Sequence, residues 1–267
     1  MLWRRVQLRG WQAWQEPLAG WLSALLTTPL PLAAPTPQSV ALDELESYQV
    51  ELEFWFAAKR VNTQAIDALV SKHLLPGVER PALDADTLNG MLKGFIDLAF
   101  EHQGRFYVLD WKSNYLGPND SAYEPEALRH ALLAKRYDLQ AALYLLAMHR
   151  LLKARLPDYD PHQHLGGSMT VFLRGSRSPG RGVVGEPAPV ELIEALDSLF
   201  AGEPHATSRR PRHEPPARPT HLRHVRRFTH RPSCTQQHPG TAGPVRTLGS
   251  ARLAAGFRPR PRALFSQ

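Results

Sequence analysis

The chain has 267 residues, 43% of them hydrophobic, and a formal net charge of +7. This length and content suffice for one sizeable core or two small ones. The single cysteine, Cys234, excludes a disulfide framework and favours a cytosolic protein over a secreted one. Residues 205–267 hold 13 Arg, no Lys and one acidic residue. The positive charge therefore belongs to this segment and is no argument that the rest of the chain binds nucleic acid.

The N-terminal segment predicts a soluble amphipathic helix. Its early arginines and apolar run resemble a signal peptide, but Gln12, Gln15 and Glu16 interrupt that run. No apolar run approaches the roughly 18 residues of a membrane span, so we expect no membrane partner. The large apolar side chains recur at the helical spacing of three to four residues: Trp11, Trp14, Leu18, Trp21, Leu22 and Leu25.

Strand and helix patterns alternate along the next part of the chain. A proline-rich connector follows the first helix. The patterns then predict a strand over 48–60, a helix over 63–75, a loop to residue 90, two strands within 94–114, a helical stretch over 125–156, a strand over 166–175 and a helix that ends at Gly202. This alternation predicts an α/β domain with helices packed on a central sheet.

The C-terminal segment has no apolar periodicity and is rich in Arg, Pro and His. We therefore place the folded domain at 1–203 and a separate tail at 204–267. Two interpretations of the tail stay open. It is either a disordered basic tail that could touch nucleic acid or acidic surfaces, or an out-of-frame translation of GC-rich coding sequence, which would explain arginine without lysine.

The stretch "GFIDLAFEHQGRFYVLDWKSN", residues 94–114, predicts a β-hairpin that carries three charges. With Gln103-Gly104 as a two-residue loop, opposed residue numbers sum to 207 and Asp97 faces Asp110 across the ladder. Lys112 lies two residues beyond Asp110 and projects from the same face. The residues that flank these three charges are apolar on both faces of the strands, which is typical of strands buried on both sides.

Two opposed carboxylates in apolar surroundings need a compensating charge. A divalent cation such as Mg²⁺ fits, because it prefers hard oxygen ligands. A lysine beside it could orient a metal-bound water for attack on a phosphate. The alternative from spacing alone is an ordinary solvated Asp–Lys pair on the wet face of a hairpin.

Gln140 and Tyr144 are a second, weaker pattern. Their i, i+4 spacing puts them on one helix face, where they could hydrogen-bond a phosphate or a base. Taken alone, the pair is equally typical of a surface glutamine above a half-buried core tyrosine.

The order GFID, LDWK and Q-x-x-x-Y resembles the PD-(D/E)xK nucleases of the RecB type, and the likeness extends over most of residues 1–203. It implies a restriction-endonuclease-like fold and Mg²⁺-dependent exonucleolytic hydrolysis of DNA in double-strand-break repair and recombination, in the cytoplasm. Asp97 and Asp110 would be metal ligands, with the carbonyl of Trp111 as a backbone ligand. Lys112 would be the catalytic lysine. Gln140 and Tyr144 would contact DNA and steady the site.

By the same resemblance, the partners would be DNA, the RecC and RecD subunits, and the recombinase RecA. Three departures from the family pattern shape our expectations. The family has a metal-binding histidine on an upstream helix, whereas the first candidate here, His73, follows the strand at 48–60. The nucleotide-binding loop of the helicase part does not occur, and the chain ends in the arginine-rich segment. We therefore expect a fragment that lacks the first helices of the domain, with weak or no activity. A non-catalytic interaction module and a gene remnant are the alternatives.

Overall fold

The structure, a computed structural model, describes residues 2–32 and 38–202, and the backbone of residues 246–247. The helices are Leu2–Leu8 (α1), Gln15–Thr27 (α2), Thr63–His73 (α3), Pro125–Ala134 (α4), Tyr137–Arg155 (α5), Pro161–His164 (α6) and Val190–Ala201 (α7). The strands are Leu30–Pro31 (β1), Ser39–Val40 (β2), Ser47–Asn62 (β3), Thr87–His102 (β4), Arg105–Lys112 (β5), Leu165–Phe172 (β6), Val183–Pro187 (β7) and Arg246–Thr247 (β8). None of the described helices has the length and apolar character needed to cross a membrane.

The centre of the fold is a mixed sheet in the order β3-β4-β5-β6-β7. Strands β5 and β6 are parallel, and the other neighbours in this order are antiparallel. The short β8 pairs in parallel with β4. The predicted α/β class with a central mixed sheet flanked by helices is confirmed. β7 was not predicted; its sequence, VVGEP, is short and contains glycine and proline, which weakens the strand signal.

The hairpin between β4 and β5 has the predicted register. Its five ladder pairs run from His102↔Arg105 to Leu98↔Leu109, and each sums to 207. Gln103 and Gly104 have φ of 51° and 79°, the positive values that a type I′ two-residue loop requires. The turn therefore fixes which residues of β4 and β5 approach each other further along the strands.

Apolar side chains cover both faces of the sheet. One face packs against α3, α5 and α7 in a core that includes Ile96, Val108 and Leu146. The other face forms a second core that includes Leu109 and residues of β1 and β2. Every residue of β6 is buried, as expected for a central strand with both faces covered. Charged residues at the neighbouring end of β5 therefore have no open sheet face to occupy.

The prediction of one continuous helical stretch over 125–156 is wrong in one respect, because this stretch consists of two helices. Arg136 separates α4 from α5 with a left-handed φ of 55°. Its guanidinium bonds Asp138, Asp67 and the carbonyl of Pro81, which holds this conformation in place. Sequence periodicity does not report such long-range ion pairs. Because of this break, the first turn of α5 does not continue the helix of α4.

The prediction of a single N-terminal amphipathic helix is also wrong. Gly10, at φ 67°, separates α1 from a short turn at Gln12–Trp14, and α2 follows. Trp11 and Trp14 are 48% and 61% exposed, so the apolar spacing does not mark one buried stripe. Trp21 donates from Nε1 to the hydroxyl of Ser176 at 2.8 Å, tying α2 to the loop after β6.

The last helix ends as predicted. Gly202 follows α7 with φ 81° and its N–H bonds the carbonyl of Leu199, a glycine-capped helix end. The predicted tail at 204–267 lies outside the described residues, apart from the backbone of β8. The boundary at 203 therefore stays a prediction.

Candidate active site

Asp97 lies in β4, one residue past the last ladder pair with β5. The predicted ladder pair between Asp97 and Asp110 therefore does not form. Instead, Asp97 Oδ2 accepts a hydrogen bond from the backbone N–H of Trp111 at 2.9 Å. Burial is the main cause that raises the pKa of Asp97 to about 6. The neighbouring Asp110 also acts to raise it, and the Trp111 N–H and Lys112 act in the opposite direction. The carboxyl group is thus held in place but is short of positive charge.

Asp110 lies on β5 and is only 6% exposed. Its Oδ1 accepts a hydrogen bond from Gln140 Nε2 at 3.1 Å. Its Oδ2 faces Lys112 Nζ at 2.5 Å, yet it has no hydrogen bond of good geometry. Burial raises the pKa of Asp110, while the Lys112 ammonium lowers it. One oxygen of a buried carboxylate is therefore left to accept another ligand.

Lys112 ends β5 and is held from three sides. Its ammonium donates to Gln140 Oε1 at 2.7 Å and pairs with Asp110. It also lies 3.8 Å from the ring centroid of Tyr137, a cation–π contact. Sequence reasoning did not single out Tyr137. The available signal was its i, i+3 spacing from Gln140, which places both residues on one face of α5.

Gln140 is the residue that joins the parts of the site. Its amide nitrogen donates to Asp110 and also to the Tyr144 hydroxyl at 2.6 Å, while its amide oxygen accepts from Lys112. Tyr144 is 1% exposed and makes an edge-to-face contact with Phe54. Its burial fits the expected steadying role and leaves Tyr144 no surface to offer to DNA.

The structure thus brings the residues singled out from sequence together at one place. Two carboxylates and an ammonium lie where β4 and β5 separate, and α5 closes the site from one side. Such an arrangement is suited to holding a cation and a polarised water beside a phosphate.

A family model described as the PD-(D/E)XK nuclease superfamily matches residues 12–234. The chain belongs to this superfamily. The match extends past residue 203 into a part of the chain that the structure does not describe. The members of the superfamily are metal-dependent nucleases. The two carboxylates and the lysine are side chains of the kind that such a reaction requires.

The chain is also similar to RecB subunits. It is 39% identical over 204 residues to RecBCD enzyme subunit RecB of Escherichia coli K12, an alignment that covers 74% of this chain and 17% of the relative. For the Haemophilus influenzae Rd subunit, identity is 35% over 194 residues, with 71% and 15% covered. For that of Mycobacterium tuberculosis H37Rv, it is 40% over 122 residues, with 42% and 11% covered. The chain therefore spans 11–17% of the length of these relatives.

The residues of this superfamily member fit a divalent cation. Asp97 and Asp110 each shift the pKa of the other, so the two carboxyl groups are neighbours. Asp110 Oδ2 accepts no hydrogen bond and has only the Lys112 ammonium beside it. In a strand, the N–H and C=O of one residue point toward the same neighbour, so the Trp111 carbonyl is directed toward the Asp97 side. Within residues 2–32 and 38–202, no group of three His, Cys, Asp or Glu side chains gathers for a metal. The protein thus offers two carboxylates and a backbone oxygen.

Proposed function

We propose that this chain is a RecB-type nuclease domain that hydrolyses phosphodiester bonds of DNA with Mg²⁺. The observation that carries the proposal is the buried group formed by Asp97, Asp110 and Lys112. Two carboxylates that repel each other in apolar surroundings stay ionised together only when a positive charge compensates them, and otherwise take up a proton. Lys112 supplies one positive charge for two carboxylates, and a divalent cation would supply the rest.

Oxygen donors of this kind favour Mg²⁺ over softer metals. Asp97, Asp110 and the Trp111 carbonyl would hold the ion, and water and phosphate oxygens would complete its coordination. A bound Mg²⁺ would polarise the phosphate and lower the pKa of a water. The protein itself contributes the fixed positions of its oxygens: the Trp111 N–H orients Asp97, and Gln140 orients Asp110.

Lys112 would hold the attacking water or a phosphate oxygen. Its ammonium is fixed beside Asp110 by Gln140 and by the ring of Tyr137, so it does not have to be ordered during the reaction. A group held in this way stabilises negative charge that develops on the phosphate better than a mobile surface lysine does. Gln140 couples the position of this lysine to the position of the metal-binding carboxylate.

The RecB likeness extends the proposal to the biological setting. The reaction would be exonucleolytic cleavage in double-strand-break repair and recombination, in the cytoplasm, with the RecC and RecD subunits and RecA as partners. The support is the 39% identity to a subunit of the RecBCD enzyme. Mg²⁺ titration calorimetry tests the first step: we expect binding in the wild type and much weaker binding after Asp97→Ala.

Cleavage of 5′-labelled linear single-stranded DNA in Mg²⁺ tests the reaction. We expect slow cleavage by the isolated chain, because its described part offers only two acidic side chains to the metal. Asp110→Ala should abolish that cleavage, whereas Asp158→Ala, at an exposed position, should not change it. Robust cleavage lost in Asp110→Ala would show that two carboxylates suffice. Cleavage that persists in Asp110→Ala would refute the assignment of the site.

A non-catalytic interaction module is the second candidate. It is favoured by the exposed apolar side chains of the N-terminal helices, where Trp3, Leu8 and Trp14 are each at least 60% exposed. Such a surface is typical of a protein–protein contact. Mg²⁺ calorimetry separates the candidates, because a module without a metal site would give no binding heat that depends on Asp97.

A further inference from the structure

A second group of side chains lies at the same edge of the sheet as the candidate active site. Strands β5 and β6 are parallel and end together, since Lys112 pairs with Phe172, the last residue of β6. The carboxyl ends of neighbouring parallel strands are a common place for binding residues. The two segments that leave the sheet here carry Tyr115, three residues after Lys112, and Arg174, two residues after Phe172.

Arg174 is tethered to the segment that follows the catalytic lysine. Its Nε donates to the carbonyl of Ser113 at 3.0 Å. A guanidinium has five N–H groups, so its four Nη–H donors remain. In the part of the chain that the structure describes, Arg174 forms no ion pair with a carboxylate. The side chain is exposed, oriented at one nitrogen, and still able to bind an anion in a bidentate manner.

Tyr115 supplies a stacking surface next to this arginine. Its side chain is 65% exposed, and the Arg174 guanidinium lies 5.8 Å from its ring centroid. The apolar face of this ring is in contact with water, and a base stacked on the ring would bury that face. Three residues span at most about 11 Å, so the backbone of Tyr115 leaves the sheet close to that of Lys112.

We propose that Arg174 and Tyr115 form a subsite for the nucleotide next to the cleaved phosphate, in which Arg174 binds a backbone phosphate and Tyr115 stacks on an unpaired base. This inference rests on the proposed function and adds the form of its substrate. The face of a base is available for stacking only where the base is unpaired. The subsite therefore selects a single strand, or the frayed end of a duplex, over an intact duplex.

The surroundings of the pair support this ligand. The adjacent Asn114 accepts a hydrogen bond from the Tyr137 hydroxyl, so the segment that carries Tyr115 is anchored to α5 beside the site. The Arg174 guanidinium is bonded to the carbonyl of Ser113, and Ser113 directly follows Lys112 in the chain. A nucleic acid strand that presents one phosphate to the Lys112 ammonium would pass along this segment and meet Arg174 with a neighbouring phosphate.

The test measures binding of fluorescein-labelled dT12 to the full chain by fluorescence anisotropy, in EDTA so that no cleavage occurs. Tyr115→Ala should weaken binding about tenfold, whereas Tyr115→Phe, which keeps the ring, should stay within about twofold of the wild type. Arg174→Ala should weaken binding and reduce the slope of log K against log salt concentration by about 0.7, the value for one phosphate of a single strand.

The chain provides a matched control at its N-terminus. Arg9 lies 5.4 Å from the ring centroid of Trp11, which is 48% exposed, so this pair has the same chemistry outside the strands that form the site. Arg9→Ala and Trp11→Ala should leave dT12 binding unchanged. The arginines of residues 205–267 are the same in every variant, so their contribution cancels in each comparison. A DNA dumbbell without free ends should bind equally to the wild type and to Tyr115→Ala.

Photo-crosslinking gives a second readout that variant stability does not affect. A dT12 strand that contains 5-iododeoxyuridine should crosslink to the peptide that holds Tyr115. Crosslinks confined to residues 205–267, or equal affinity of the Tyr115→Ala and Trp11→Ala variants, would overturn the subsite even if Mg²⁺-dependent cleavage is observed. Crosslinking at Tyr115 without any cleavage would support the subsite and count against nuclease activity of this chain.

Discussion

Replacing Asp97 by asparagine should stabilise the metal-free protein at neutral pH. Asparagine has the same shape and keeps an oxygen that can accept the Trp111 N–H. It removes a carboxylate that burial and Asp110 make unfavourable in the charged form. The substitution should therefore remove an electrostatic cost that the wild type carries, and under the proposed function this is the cost of keeping a metal ligand buried.

The magnitude follows from the pKa. A folded pKa of about 6, against about 3.9 in the unfolded chain, corresponds to about 3 kcal/mol. Partial exposure of the carboxyl group reduces this to about 1–2 kcal/mol. Because the folded pKa is raised, the protonated form favours the folded state. The stability that this group contributes is complete below about pH 4 and is lost as the pH rises through about 6.

Urea unfolding in EDTA at pH 4.5, 6 and 7.5 measures this effect. The free energy of unfolding of Asp97→Asn should exceed that of the wild type by about 1–2 kcal/mol at pH 7.5, and the difference should shrink at pH 4.5. The exposed control Asp158→Asn should change it by less than about 0.5 kcal/mol. A less stable Asp97→Asn at pH 7.5, or a difference independent of pH, would refute the reasoning.

Two further substitutions test how α5 is held. Asp138 is 2% exposed and pairs with two arginines. Asp138→Ala should therefore lower the free energy of unfolding by about 3–5 kcal/mol in urea titrations. Asp197 also pairs with an arginine, but its side chain is 22% exposed, so Asp197→Ala should lower the free energy of unfolding clearly less. Equal losses would count against the role of burial. Tyr137→Leu should reduce Mg²⁺-dependent cleavage about tenfold by releasing Lys112, while Tyr137→Phe keeps the ring and most of the rate; similar rates in both variants would contradict the cation–π contact.

The part of the site that sequence predicts is the part that lies within one hairpin. Register in a two-residue hairpin follows from the turn, and Gln103-Gly104 adopts the conformation that such a turn needs. That local rule was enough to bring Asp97 close to Asp110, with Lys112 on the Asp110 side. The i, i+4 spacing of Gln140 and Tyr144 is equally local, and the two side chains do contact each other.

The elements that sequence mispredicted depend on distant residues. The break at Arg136 is held by Asp67 and the carbonyl of Pro81, which lie more than 50 positions away. The exposed positions of Trp11 and Trp14 depend on a turn at Gly10 that helical spacing does not reveal. Periodicity reports which side chains could share a face, but it does not report whether the backbone continues.

By itself, the sequence determined the α/β class, the hairpin register and the identity of the charged residues, because strand alternation, turn geometry and helix spacing are local. Only the tertiary structure decided what those charges do. It packed α5 against the sheet so that Gln140 bridges Asp110 and Lys112, and placed the ring of Tyr137 against the ammonium. It also brought Arg174 to Ser113, across 61 positions of the chain, because parallel strands β5 and β6 end at the same edge.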